Sequence, residues 1–171
     1  VDEATEIKDD RGASLDAELI PGAGETLTRL VERGYRLGLV ADGYTDTFRN
    51  VLSRHGVYGL FEARAISEEV GVSKPDPRMF TTALDAMGID RSEYARVVMV
   101  GNNLERDIRG ANLLGLVSVW LRWSPRRSKV PADESEVPDY TIDTPAELLG
   151  LMDRLEKDSP PLDRTAQGDP L

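Results

Sequence analysis

A mostly parallel β-sheet covered by helices on both faces, a three-layer α/β/α sandwich, is the fold class this sequence predicts, and three observations predict it. Val97, Val98, Met99 and Val100 form an unbroken apolar run rich in β-branched residues, the pattern of a strand buried on both faces. Gly101-Asn102-Asn103 then marks a sharp turn, and Ile108, Ala111, Asn112 and Gly115 follow at helical spacing. Along the rest of the chain, strand-like and helix-like segments alternate, as a parallel sheet requires.

The elements follow in order. Residues 1–18 are polar and acidic, with Ile7 and Leu15 as the large apolar residues before Leu19, and read as a loosely docked arm or the remnant of an upstream segment. Leu19-Ile20-Pro21-Gly22 turns into a helix over about 23–33, whose Leu27, Leu30 and Val31 share a face and which Gly34 stops. A strand over 36–40 ends in Ala41-Asp42-Gly43, and Thr45 or Asp46 is placed to cap a helix striped by Phe48, Val51 and Leu52. A short strand over 63–66 leads into the acidic loop Ser67-Glu68-Glu69, then Ser73-Lys74-Pro75-Asp76-Pro77 and a helix over 78–87. After a helical turn over 92–95 come the strand at 97–100, its helix, and a further strand over 117–121. Residues 124–138 read as a surface loop and 140–142 as an edge strand. Thr144 is expected to cap a last helix that begins with Pro145 and runs to about Lys157. A core over 19–157 and a disordered tail over 158–171 complete the division.

Composition narrows the function classes. Hydrophobic residues make up 40% of the 171 and charged residues 30%, as in a soluble globular protein. No apolar run approaches the ~18 residues of a membrane span, and no secretory signal opens the chain. There is no Cys, so disulfides, thiolate metal sites and a thiol nucleophile are excluded, and a cytoplasmic location is the expectation. With 21 basic against 31 acidic residues the net charge is −10, which argues against nucleic-acid or anionic-membrane partners; Arg126, Arg127 and Lys129 are too few to reverse it. A first residue of Val1 rather than Met is expected of a processed, trimmed or partial polypeptide.

In open α/β folds ligands bind at the carboxyl ends of the strands. Asn102 lies at such an end, and Asp107, one turn into the helix, reaches back toward the same spot. Three segments then carry a resemblance by their order and spacing: L-G-L-V-A-D-G at 37–43, S-K-P-D-P-R-M-F at 73–80, and V-V-M-V-G-N-N-L-E-R-D-I-R-G-A-N at 97–112. Together they resemble the haloacid dehalogenase-like hydrolases, mostly magnesium-dependent phosphatases with a Rossmann-like core. The resemblance implies that Lys74 neutralises the charge of nucleophile and phosphate, and that Asp107 and Asn102 hold Mg²⁺. It further implies that Ala41 and Asp42 occupy the phosphate-binding motif, with Gly43 and Asn103 as binding positions in the two turns, and that the substrate is a small phosphorylated metabolite.

The sequence departs from the family pattern at several points. Asn102 stands where an Asp is usual and offers an oxygen without formal charge. Ala41 replaces a Ser or Thr, removing one hydrogen bond to the phosphoryl group. Asp42 places a negative charge beside the pocket, which is expected to repel an anionic substrate. No apolar strand ending in Asp-x-Asp precedes 36–40; Asp9-Asp10 and Asp2-Glu3 are adjacent acids in a polar arm, and the sole His, His55, is expected at a helix end. Two readings follow. Either an upstream segment supplies the nucleophile and any cap, or the chain is a pseudoenzyme used for binding or assembly. In both, the chain as given is expected to be catalytically incompetent, with Mg²⁺ relevant only if it is active. The strands at 36–40 and 97–100 are expected to pair directly, or else to receive a strand from a second copy or another partner.

Overall fold

The computed structural model describes residues 17–159. The arm expected over 1–18 and the tail expected over 158–171 therefore lie outside the described residues, apart from Ala17, Glu18, Asp158 and Ser159. Asp2, Glu3, Asp9 and Asp10 are outside as well.

The chain alternates as its sequence predicts: α1 (Ala23–Glu32), β1 (Leu37–Ala41), α2 (Thr45–Arg54), β2 (Phe61–Ile66), a single-turn α3 (Ser67–Val70), α4 (Pro77–Ala86), β3 (Val98–Gly101), α5 (Arg109–Leu114), β4 (Val117–Leu121), β5 (Tyr140–Ile142) and α6 (Glu147–Asp158). Short 3₁₀ turns occupy Tyr58–Leu60, Arg91–Arg96 and Glu134–Glu136. None of these helices is long and apolar enough to cross a membrane.

All strand pairings are parallel, but they form two groups: β1 with β2, and β3 with β4 with β5. The direct pairing expected between the strands at 36–40 and 97–100 does not occur. Among the described residues β1 and β3 each have a hydrogen-bonded neighbour on one side. Burial follows from this. The four residues of β3 are all half-buried, whereas β4, flanked on both sides, is buried at four of its five positions. Among the described residues, the β-branched run at 97–100 thus belongs to a strand paired along one edge.

Helices hold the two strand groups together from both faces. On one face Leu30 of α1 and Leu148 and Leu151 of α6 pack with Val119, Leu121 and Ile142, against Leu37 of β1 and Val98 and Val100 of β3. On the other, Met79, Phe80 and Leu84 of α4 and Ala111 of α5 pack against Val40 of β1 and Met99 of β3. Alternate β3 residues enter opposite clusters, as the twofold period of a strand dictates. Each cluster spans β1 and β3, so the core is continuous where the backbone pairing is not.

Local signals fail in two helix starts. Neither Thr45 nor Asp46 caps α2: Tyr44 is the N-cap residue, without a side-chain cap, and the Thr45 N–H donates to Glu68 Oε2 at 2.9 Å. The last helix starts at Glu147, and its carboxylate accepts the N–H groups of Asp143 (2.8 Å) and Thr144 (2.6 Å). The Glu147 carboxylate thus reaches back to the two N–H groups just before the helix, and Thr144 supplies no cap; its hydroxyl instead donates to Glu147 Oε2. The 124–138 segment is also better anchored than a surface loop. Arg109 pairs with Asp133 at 3.0 Å and with the buried Glu136 at 3.1 Å, and Asn112 Nδ2 donates to the carbonyls of Ser135 and Val137.

The tightest helix contact is at Gly110, where a Cβ would lie 2.3 Å from two ring carbons of Phe80, itself 1% exposed. Gly110→Ala is expected to cost about 1–3 kcal/mol by overpacking α5 against α4. Urea unfolding measures it, and a change below ~0.5 kcal/mol contradicts the packing described.

Candidate active site at the carboxyl ends of the strands

Three loops and the helical turn after β2 converge where β1, β2 and β3 end. The first is the Ala41-Asp42-Gly43 turn. Ala41 is buried and presents only a methyl group at the strand end. The Gly43 N–H donates to Ser67 Oγ at 2.9 Å, and its carbonyl accepts the Glu68 N–H at 3.3 Å. The segment expected as an acidic loop is thus a helical turn that holds the β1 turn in place.

The second loop carries Lys74. Its path is fixed at both sides: Asp42 Oδ1 accepts the Lys74 backbone N–H at 3.0 Å, and Asp76 caps α4 by accepting the Arg78 N–H at 2.9 Å. The Lys74 ammonium donates to the Val40 carbonyl at 3.1 Å and to Asp107 Oδ1 at 2.7 Å. This ion pair is enclosed, with side-chain exposures of 12% and 6%. Bonds from the Arg78 side chain and then its backbone N–H hold the Asp76 carboxyl down at about 2. Because this value is depressed, the cap's contribution is complete above the ordinary aspartate range near ~4 and is lost as pH falls through about 2. Carboxyl ¹³C titration should place the Asp76 midpoint near 2; a midpoint near 4 contradicts the cap.

The third loop follows β3. The regular helix expected there opens instead as a π-helical turn, Leu104–Ile108, in which the Asn103 carbonyl accepts from both Asp107 (2.8 Å) and Ile108 (3.2 Å). Such wide turns concentrate at functional sites. Asp107 Oδ2 accepts the Asn103 N–H at 3.0 Å, so each carboxylate oxygen has a partner. Gly101 makes this possible: a Cβ there would lie 2.3 Å from Asp107 Cβ. Asn103 is buried and its side chain accepts the Arg106 N–H, while the half-buried Asn102 accepts the Trp120 indole N–H on its carbonyl.

Asp42 corrects an expectation. Its carboxylate, 6% exposed, does not stand as an uncompensated charge beside the pocket: Oδ2 faces Arg106 Nη1 at 3.4 Å while Oδ1 holds the Lys74 loop. Arg106, Ser67 and Glu68 were not singled out in the sequence. For Arg106 the available signal was a basic residue adjoining Asp107, one position from the acid already chosen. His55 lies at the end of α2, half-buried, with Nε2 2.9 Å from the Ala17 carbonyl and away from this site.

The described residues contain no group of three or more His, Asp or Glu side chains able to hold a metal ion. The single negative charge of Asp107 is already matched by Lys74. What the arrangement offers chemically is a pair of cations, Lys74 and Arg106, set among buried acids at a strand edge where ligands bind.

Comparison with known proteins identifies the family. Residues 2–115 match the haloacid dehalogenase-like hydrolase family. The glyceraldehyde 3-phosphate phosphatase of Methanopyrus kandleri is 39% identical over 138 residues, covering 81% of this chain and 58% of that protein. The phosphoserine phosphatase of Thermus thermophilus is 39% identical over 124 residues, 72% of this chain and 47% of that protein. A solved Bacillus subtilis HAD-hydrolase, YfnB, bound to magnesium, superimposes with a TM-score of 0.67 at 25% identity, covering 79% of this chain and 56% of that one. The chain spans about half to three-fifths of the length of these relatives. On its sequence, this chain belongs to the haloacid dehalogenase-like hydrolases.

Proposed function

We propose that this chain provides the phosphate-holding side of a phosphatase site for small phosphorylated metabolites, and that it does not cleave them unaided. The observation that carries the reading is the enclosed Lys74 ammonium, held between the Val40 carbonyl and Asp107 at the strand ends. A buried cation on a loop fixed at both sides is preorganised to stabilise charge that gathers on a phosphoryl group. Asp107 orients the ammonium, and Asp42 positions the backbone that carries it. Relatives named as glyceraldehyde 3-phosphate phosphatase and phosphoserine phosphatase support a phosphate monoester as the ligand class.

Turnover by the family's route needs a carboxylate that attacks phosphorus and becomes an acyl phosphate. Among the described residues none stands between Lys74 and the end of β3 to do this; Asp42 and Asp107 are both engaged. The facing edges of β1 and β3, unpaired among the described residues, are where a carboxylate-bearing strand would sit, from residues outside that range or from a partner. Magnesium, bound in the YfnB structure, does not fit the described residues alone, because a dication here would meet Lys74 and one neutralised acid. A second carboxylate would have to arrive with that strand.

A non-catalytic binding module is the second reading, favoured by the buried Ala41 methyl at the end of β1. One experiment separates the readings. The full chain is titrated with inorganic phosphate by calorimetry and assayed with 4-nitrophenyl phosphate and Mg²⁺. The proposal expects phosphate binding that Lys74→Met abolishes, with no turnover. Turnover lost in Asp107→Ala overturns the incompetence, and absence of Lys74-dependent binding overturns the phosphate site.

A further inference from the structure

Of the two cations at this site, the Arg106 guanidinium is the more accessible. Its side chain is 38% exposed, against 12% for Lys74 and 6% for each of Asp42 and Asp107. Its one side-chain hydrogen bond among the described residues is the 3.4 Å contact of Nη1 with Asp42, long for a charge-assisted bond. A guanidinium carries five N–H donors in a planar fork, so most of its capacity is uncommitted. The Lys74 ammonium, by contrast, is already shared between a carbonyl and a carboxylate. Ala41 adds no donor at the end of β1. Formal charges of Asp42, Asp107, Lys74 and Arg106 cancel, so an arriving dianion must draw on whichever cation is free to reorient.

The chain also fixes where that fork sits. Arg106 lies inside the π-helical turn, its backbone N–H held by Asn103 Oδ1 at 3.1 Å, immediately before Asp107. Consecutive residues of one pinned turn therefore serve two purposes: Asp107 anchors Lys74 below, and Arg106 extends across to the end of β1.

We propose that Arg106 is a direct ligand of the phosphate group, leaving its weak contact with Asp42 to make a forked, charge-assisted pair with the dianion. The inference rests on the phosphate-site reading above and adds a residue to it. Asp42 is then a competitor held in reserve, which keeps the guanidinium over the strand end when no anion is present. Two hydrogen bonds to a charged group are lost without the fork, while a lysine would retain a point charge only.

The test measures the affinity of the full chain for inorganic phosphate by calorimetry in wild type, Arg106→Ala, Arg106→Lys, Asp42→Asn and Lys74→Met. Arg106→Ala is expected to weaken binding roughly 10–100-fold, with Arg106→Lys between it and wild type. Asp42→Asn is the discriminating variant. It retains an acceptor for the Lys74 N–H but removes the competing charge, so binding should tighten by several-fold. If Asp42→Asn instead weakens binding as Arg106→Ala does, Arg106 acts only through its pairing with Asp42 and the proposal is wrong. Binding that depends on Lys74 but is indifferent to Arg106→Ala also overturns it, leaving the phosphate site intact. Absence of any Lys74-dependent binding removes both.

Discussion

Lys74→Met is expected to destabilise the chain by about 3–5 kcal/mol, the range for breaking an enclosed ion pair from one side. The reason lies with the partner left behind. Asp107 is 6% exposed, and after the substitution its Oδ1 faces a thioether instead of an ammonium. Methionine keeps most of the side-chain volume, so a cavity contributes little and the measured loss reports the stranded charge. For a chain of this size the loss corresponds to roughly 6–20 °C in Tm. Replacing both partners, Lys74→Met with Asp107→Leu, should recover a large part of it, because no buried charge then remains unpaired. Thermal and urea unfolding of the two variants measure this. Equal losses in single and double variants would mean that the pair contributes nothing specific.

The second large effect is expected from Gly101→Ala, the smallest change that reaches the site. The new methyl would fall 2.3 Å from Asp107 Cβ and 2.4 Å from its Cγ. Neither atom is the free end of a flexible chain: Cβ is fixed by the π-helical turn, and the carboxylate by Lys74 and the Asn103 N–H. Overpacking alone costs about 1–3 kcal/mol. Beyond that, the displaced carboxylate must release Lys74, so phosphate binding should be lost together with stability. Gly110→Ala, of similar steric severity but facing Phe80, should lower stability while leaving phosphate affinity in the surviving folded fraction unchanged. Calorimetric titration below the unfolding transition distinguishes them. A Gly101→Ala chain that binds phosphate like wild type would show that Asp107 does not need to sit over the strand end.

The parts of this molecule that were legible in the sequence are those written in local pattern or in motif order. The apolar strands and the Gly stops depend on residues a few positions apart, and the structure keeps them within one or two residues, the strand expected over 63–66 beginning at Phe61. Lys74 and Asp107 were chosen through a family resemblance whose motif order spans the distance between them; the structure places them 2.7 Å apart. What was not legible depends on partners distant in sequence. Asp42 read as a repulsive charge because the sequence does not reveal that the Lys74 N–H and Arg106 will face its two oxygens. Of the two arrangements expected for β1 and β3, direct pairing does not occur, for a related reason. Apolar character in a strand reports coverage by helices on its faces, and both strands have that coverage. It does not report which edge is hydrogen-bonded. Ser67 and Glu68 looked like loop residues because their role, bracing the Gly43 turn, exists only once β1 and β2 lie side by side.

The central claim is that phosphate binds where the Lys74 loop, the Asp42 turn and the β3 turn meet. Backbone amide shifts of the full chain, followed by two-dimensional ¹H–¹⁵N NMR during titration with inorganic phosphate, test it residue by residue. The account predicts that the signals of Asp42, Gly43, Lys74 and Asn102 through Asp107 move together along one saturating curve, and that Lys74→Met abolishes the movement. Shifts confined elsewhere, for example around Arg49, Tyr58 and Arg64 in the cavity beside β2, or no saturable shifts at all, would contradict it.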